Sequence, residues 1–275
     1  MDVGKNFMRW LAAILVSFAI GIPARAALAE TLCTLVAEAT TGAVLVEDGD
    51  CQTRVTPAST FKVPLAVMGF DAGFLKDAAH PVLAYHDGDP DWGGANWRRD
   101  TNPADWLRYS VVWYSQRITH ALGAEALTAY AQSFGYGNAD FSGDAGFDNG
   151  LDRAWISSSL QVSPVEQARF LRALVLGALP VREDAMVQTR AIVETRQAGD
   201  WLVHGKTGAA YPRRADRSFD YAHGWGWYMG WVEKGDQLLV FVRLTQTRER
   251  MKGSPGLRAR DVFLSEWPAL AKQIR

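Results

Sequence analysis

Strand-like segments lie at both ends of this 275-residue chain and helix-like segments fill its middle, so the two ends are expected to meet in one sheet. Near the start, residues 34–39 and 43–46 flank the turn residues Thr40-Thr41-Gly42. Far downstream, Trp201-Leu202-Val203-His204 runs into Gly205, and residues 224–233 and 237–245 flank Lys234-Gly235-Asp236, a good hairpin turn. That makes five candidate antiparallel strands. Between them, Asn102-Pro103-Ala104-Asp105 starts a helix with proline at its first position. Ser163-Pro164-Val165-Glu166 is a capping box, followed by Phe170, Leu171, Leu174, Val175 and Ala178 on one helical face. Residues 86–101, rich in Gly, Asp and Trp, read as a long surface loop. The expected fold is α+β: an antiparallel sheet built from both chain ends, flanked by helices, with an inserted mainly helical lobe. Residues 30–275 then form a single catalytic domain, with 30–65 and 190–275 in an α/β lobe and 66–189 in the helical lobe. The junction of the lobes is where a substrate cleft is expected.

The first residues decide the compartment. Lys5 and Arg9 precede an apolar run over 10–22, and small residues follow in Ala24-Arg25-Ala26 and Ala27-Leu28-Ala29. This reads as a secretory signal over residues 1–29, cut after Ala26 or Ala29. An apolar run of about 13 residues falls short of the roughly 20 a membrane-spanning helix needs, which argues against a retained anchor. A secreted protein can oxidise its two cysteines, Cys33 and Cys51. A hairpin centred near Gly42 sets them opposite each other, so a disulfide closing the hairpin is expected, with two free buried thiols as the alternative. Neither cysteine has a nearby histidine to activate it, so the bond would be structural. With a formal net charge of -1 and five scattered histidines, nothing favours a nucleic-acid or anionic-membrane partner.

The chemistry is carried by Ser59-Thr60-Phe61-Lys62 at the head of an apolar segment. A Ser and a Lys three residues apart at a helix start share one face, so the amine can take the hydroxyl's proton and make a strong nucleophile without histidine. Ser-x-x-Lys alone is a weak signal. Its setting strengthens it: Phe61, Val63, Pro64, Leu65, Ala66, Val67 and Met68 make a nearly all-apolar helix, and lysines are rarely buried in such a place without a reason. Desolvation disfavours the ammonium and leaves a neutral amine able to act as a base or to react. The bland alternative is a lysine that snorkels to the surface. Ser110-Val111-Val112 gains weight only from its company, since Ser163-Pro164-Val165 matches the same pattern and is a helix cap. Lys206-Thr207-Gly208 offers a positive charge, a hydroxyl and a close backbone approach, although alone it could be a turn with a solvated lysine.

These motifs, with Tyr136-Gly137-Asn138 between them, resemble in order the class D serine β-lactamases, the oxacillinase group of the penicillin-recognising Ser/Lys enzymes. The resemblance runs from about Cys33 to the C-terminal helix and includes Trp155 in Asp152-Arg153-Ala154-Trp155-Ile156. Tyr-Gly-Asn, in place of the Ser-Asp-Asn of class A enzymes, favours class D most. The resemblance implies a Ser59 nucleophile that opens the lactam to an acyl-enzyme, and a Lys62 general base N-carboxylated by carbon dioxide or bicarbonate. Trp155 would donate to the carbamate, and no other cofactor or metal is implied. Backbone N–H groups of Ser59 and Ala209 would form the oxyanion hole. Ser110 would relay a proton to the lactam nitrogen, while Lys206, Thr207 and Gly208 hold the substrate carboxylate with a C-terminal arginine. Arg243, Arg248, Arg250, Arg258 and Arg260 compete for that last role. Arg258 is preferred because Gly256-Leu257-Arg258 opens the final helix. The expected partner is a small-molecule β-lactam, and the expected location is a bacterial periplasm. Two other activities share these motifs: a β-lactam sensor that stays acylated, and a peptidoglycan DD-peptidase or transpeptidase. Such proteins usually carry anchors or extra domains.

Other signals are weaker. His86, Asp87, Asp89 and Asp91 hint at a metal loop, but Trp92 and Arg98 stand where a calcium loop needs Gly and Glu. Gly224-Trp225-Gly226 with Gly230 only approximates a dinucleotide fingerprint, and its neighbours alternate like a strand. Trp225, Trp227 and Trp231 share one face and read as core rather than a ligand cage.

Overall fold

The computed structural model describes residues 29–274. The expected signal segment lies, apart from Ala29, outside the described residues. The strands are β1 (Ala29–Glu38), β2 (Val44–Gly49), β3 (Thr195–Ala198), β4 (Trp201–Ala210), β5 (Trp225–Lys234) and β6 (Gln237–Thr247). They form one antiparallel sheet in the order β2-β1-β6-β5-β4-β3. The two ends of the chain thus meet at the β1–β6 pair, as expected. The helices are α1 (Lys62–Asp71), α2 (Pro103–Tyr109), α3 (Val112–Ser133, broken at Gly123), α4 (Gly150–Arg153), α5 (Pro164–Val175), α6 (Glu183–Ile192) and α7 (Pro255–Gln273).

The central strands are apolar on both faces because both faces are covered. On one face, Phe263 and Trp267 of α7 pack with Tyr228, Phe241 and Val36. On the other, Leu35, Val240, Val242, Trp227, Met229 and Trp231 join a core shared with α1 and α5. Trp227 and Trp231 are therefore core residues. The glycines of the rejected fingerprint also have packing reasons: a Cβ at Gly226 would meet the Pro255 carbonyl at 2.4 Å and one at Gly230 the His204 carbonyl at 1.9 Å. Every residue of α1 from Lys62 to Phe70 is buried, so this helix runs through the middle of the molecule.

Three local expectations change. A sixth strand, β3, pairs with β4 from Thr195↔His204 to Ala198↔Trp201. Helix α5 ends at Val175, and Ala178, expected on its apolar face, is exposed beyond it. In the first hairpin, Cys33 lies opposite Gly49 rather than Cys51, with a register shift between Val36 and Ala37. The disulfide forms all the same, with Cα atoms 5.1 Å apart. Gly49 turns the chain at φ +86°, where any Cβ would lie 2.2 Å from the Leu32 carbonyl, and this brings Cys51 back over Cys33. Since the bridge closes a separation of 18 residues, replacing both cysteines by serine should lower unfolding stability by about 3 kcal/mol. In urea this would show as a lower midpoint, and an unchanged midpoint would mean that the hairpin is held by its strand pairing alone.

Candidate active site

The nucleophile candidate sits where a strained turn enters α1. Ala58 has φ +51°, and Ala58–Phe61 forms a 3-10 turn that carries Ser59. A non-glycine residue in the left-handed region is costly, and such strain persists only where surrounding structure holds it. Lys62 opens α1 one turn later, with its Nζ 3.4 Å from Ser59 Oγ. The lysine is completely buried. Burial pushes its ammonium well below the ordinary lysine range, and the positive charge of Lys206 pushes it the same way. The pair therefore favours a neutral amine facing a hydroxyl, the arrangement needed to remove the hydroxyl's proton.

A second Ser–Lys pair faces the first. Ser110 ends α2 in a left-handed conformation, φ 58° and ψ 37°, and Lys206 Nζ donates to its Oγ. The same nitrogen donates to the Thr207 carbonyl at 3.1 Å. Burial lowers the Lys206 pKa to about 8, with Glu194 opposing the shift and Arg260 adding to it. Helix α2 is placed by its cap, in which Asn102 Oδ1 accepts from Asp105 N at 2.8 Å with Pro103 first in the helix.

Strand β3 pairs with β4 only as far as His204, so the rest of β4 forms one wall of the site. Gly208 lets that wall press on the 3-10 turn, because an added Cβ would stand 2.8 Å from the Pro57 carbonyl and 3.2 Å from Thr60 N. Gly256, in turn, brings the start of α7 against the Gly208 carbonyl, which a Cβ there would meet at 2.4 Å. Between these elements lies a cleft of about 460 Å³. Ser59, Ser110, Thr207 and Ala209 line it, with Tyr109, Ile156, Trp92, Arg108 and Leu257 around them. Lys62 and Lys206 are buried beneath its lining. Arg258 is not part of the lining but follows Leu257, and its Nη1 donates to the Lys252 carbonyl at 2.7 Å. Of its rivals, Arg243 pairs with Glu266, Arg248 with Glu30 and Arg260 with Asp261, while Arg250 lies over the Tyr221 ring.

Trp155 packs its ring 5.6 Å from that of Phe61, the residue before Lys62. Its Nε1 is buried and, among the described residues, has no hydrogen-bond partner. Carboxylation of a lysine needs a neutral amine, and the product needs buried donors. Lys62 and the orphaned indole N–H of Trp155 meet both requirements, so these residues fit a carboxylated Lys62.

Tyr136-Gly137-Asn138 does something other than line the cleft. Tyr136 is buried, its phenol pushed up by that burial, and its hydroxyl donates to Gln167 Oε1 at 3.2 Å. Gln167 Nε2 then donates to Thr60 Oγ1 at 2.8 Å, and that hydroxyl donates to the Pro57 carbonyl at 2.7 Å. This buried chain braces the 3-10 turn from behind. Gln167 was not singled out in the sequence, although a glutamine in line with Phe170, Leu171 and Leu174 on the apolar face of α5 is a readable sign of a buried polar contact. Two of the acidic residues of the 86–101 loop are engaged by arginines: Asp89 accepts from Arg117 at 2.8 Å and Asp91 from Arg98 at 2.9 Å. Trp97 anchors that loop by donating to the Tyr109 carbonyl at 2.8 Å.

Residues 32–263 match the family model of the penicillin binding protein transpeptidase domain. The chain is 41% identical over 246 residues to β-lactamase OXA-9 of Klebsiella pneumoniae, covering 88% of this chain and 89% of that protein. It is 36% identical over 217 residues to β-lactamase OXA-1 of Escherichia coli, covering 76% and 74%. The crystal structure of the OXA-427 class D β-lactamase superposes with a TM-score of 0.81 at 44% identity, covering 88% of this chain and 99% of that one.

Proposed function

The chain belongs to the class D serine β-lactamases and hydrolyses β-lactams, and from that premise we propose a reaction through a Ser59 acyl-enzyme in which an N-carboxylated Lys62 is the general base of both half-reactions. The observation that carries this reading is the fully buried Lys62 amine 3.4 Å from Ser59 Oγ. Ser59 Oγ loses its proton toward position 62 and attacks the lactam carbonyl. Backbone N–H groups of Ser59 and Ala209 receive the charge that develops on the carbonyl oxygen, an interaction whose loss typically costs about 100 to 1000-fold in rate. As the C–N bond breaks, Ser110 Oγ gives its proton to the lactam nitrogen and Lys206 Nζ replaces it. A Lys206 pKa of about 8 suits this exchange near neutral pH. When present, the carboxylate on Lys62 supplies an anionic oxygen base for the serine and then for the deacylating water. Trp155 Nε1 would hold it, with Lys62 Nζ as its point of attachment.

Thr207, with Lys206, Gly208 and Arg258, would bind the substrate carboxylate. Arg258 is favoured among its rivals because Arg243, Arg248 and Arg260 already serve carboxylates of the protein. Arg258→Ala should raise KM for carboxylate-bearing substrates by about 10-fold or more while changing kcat less, as expected for loss of a charge-assisted contact. An unchanged KM would move the assignment to Arg250.

A periplasmic location is supported by the basic and apolar pattern of residues 1–29 and by the Cys33–Cys51 disulfide. Among the described residues no helix is long and apolar enough to cross a membrane. The deciding experiment is steady-state hydrolysis of a chromogenic cephalosporin with and without bicarbonate, together with mass spectrometry for an acyl adduct. Turnover that rises with bicarbonate supports the mechanism. A stoichiometric adduct at Ser59 without turnover would point instead to a β-lactam sensor or a cell-wall peptidase.

A further inference from the structure

We infer that Thr56 is a positioning residue for Trp155: its hydroxyl ties the turn that carries the indole to the segment that carries the nucleophile. This rests on the reading of Lys62 as carboxylated. Thr56 lies three residues before Ser59 and is 1% exposed. Its Oγ1 donates to the Trp155 carbonyl at 2.9 Å and accepts from Ser157 N at 3.0 Å. One hydroxyl therefore holds both ends of the Trp155-Ile156-Ser157 turn. The middle residue, Ile156, faces the cleft.

The turn has reason to need holding. Ser157 has φ +52°, a left-handed conformation that a serine adopts only at a cost. Elsewhere the turn is held by Ser157 Oγ, which accepts from Tyr211 N at 3.3 Å, and by Ile156 N, which donates to the Arg153 carbonyl at 2.7 Å, neither of which touches the Trp155 carbonyl or the Ser157 N–H. Thr56 is itself immobilised from two further sides. Its carbonyl accepts from Trp227 Nε1 of β5 at 3.0 Å. The preceding Val55 exchanges both backbone hydrogen bonds with Val162, at 3.1 and 2.9 Å. The anchor is thus rigid and the strained turn hangs on it.

Without the hydroxyl, the Trp155 carbonyl and the Ser157 N–H would lose this partner in a buried place. The turn could then satisfy them only by moving, and the indole N–H moves with the turn. A purely packing threonine would be indifferent to what the Trp155 nitrogen does. A positioning threonine would not be, so the two roles separate in how Lys62 responds to bicarbonate.

The test compares Thr56→Val, which keeps the shape and removes the hydroxyl, with Thr56→Ser, which keeps the hydroxyl. Two quantities are read on the whole mature enzyme. One is the bicarbonate concentration giving half-maximal turnover. The other is the NMR signal of isotopically labelled bicarbonate bound covalently at Lys62. Removing a residue that orients a ligand-holding group typically costs about 10 to 100-fold, so Thr56→Val should raise the half-maximal concentration by at least about 10-fold. The labelled signal should fall in parallel at fixed bicarbonate, and Thr56→Ser should restore both readings. Should the valine variant not fold, Thr56→Ala is read in the same way. Wild-type bicarbonate dependence and labelling in a folded variant lacking the hydroxyl would overturn the inference, whatever the change in melting temperature. Absence of label from the wild-type protein would overturn it through the Lys62 reading instead, and the two failures are told apart by that control.

Discussion

Replacing Lys62 by alanine should lower turnover of a chromogenic cephalosporin by on the order of 10,000-fold or more, since one residue serves both acylation and deacylation and units of this kind lose most of their activity at the first deletion. The loss should not come from unfolding. Lys62 is fully buried, and burial holds its ammonium well below the ordinary range. An unfolded lysine titrates near ~10.4, so between the lowered folded value and that pH the unfolded chain binds the extra proton. Stability supplied by this group is therefore missing at neutral pH and returns as pH rises through that window. Alanine removes both the penalty and its pH dependence, at the cost of the cavity left by the lysine stem. Urea unfolding in bicarbonate-free buffer at several pH values from neutral upward checks this: the variant should show a shallower rise in stability with pH than the wild type. Lys206, whose pKa of about 8 acts in the same direction, contributes slope to both proteins, and the phenols of Tyr114, Tyr136 and Tyr228, pushed up by burial, oppose it toward pH ~10 in both, so the difference between the two slopes reports Lys62. A folded Lys62→Ala protein that still turns over normally would remove the central claim of the mechanism.

What could be read ahead of the structure was whatever is set by short spacings or by strong patterns. Ser59 and Lys62 are three residues apart at a helix entry, and that spacing alone brings them within reach. The capping residues Asn102 and Ser163 act on backbone groups three residues on, as their positions implied. The meeting of β1 with β6 followed from apolar strands at both ends of the chain. Strand β3 was missed because Thr195–Ala198 is four residues long and lies at the sheet edge, which leaves almost no apolar alternation to detect. The register of the first hairpin escaped because symmetry about Gly42 takes no account of the irregularity between Val36 and Ala37 or of the turn at Gly49. Contacts between distant segments were the least legible. Nothing near Thr56 announces a bond to a carbonyl 99 residues away. Nor does the Tyr-Gly-Asn motif itself say that its tyrosine points behind the nucleophile, toward Gln167, and not into the cleft.

Trp155→Phe should slow deacylation by about 100-fold and acylation less, because it deletes one hydrogen-bond donor to the carboxylate and keeps an aromatic ring against Phe61, while a neutral Lys62 amine 3.4 Å from Ser59 Oγ can still take the serine's proton. Trp155→Ala should show the same kinetic defect with a large loss of stability added, since removing a buried tryptophan commonly costs about 3 to 5 kcal/mol. The phenylalanine variant separates donor from packing. Without bicarbonate, the Trp155 N–H is buried and has no partner among the described residues, so its removal forfeits no protein hydrogen bond. In bicarbonate-free buffer Trp155→Phe should therefore lose only what the smaller ring forfeits in packing, far less than Trp155→Ala. With bicarbonate, a group that binds only the folded protein raises its stability by an amount that grows with the logarithm of its affinity, and the wild type should gain more than the variant. The difference between the two melting-temperature shifts then reports what the indole N–H contributes to holding a carboxylated Lys62. Equal shifts, together with unchanged deacylation in Trp155→Phe, would reduce Trp155 to a packing residue and leave the orphaned N–H without a role in the reaction.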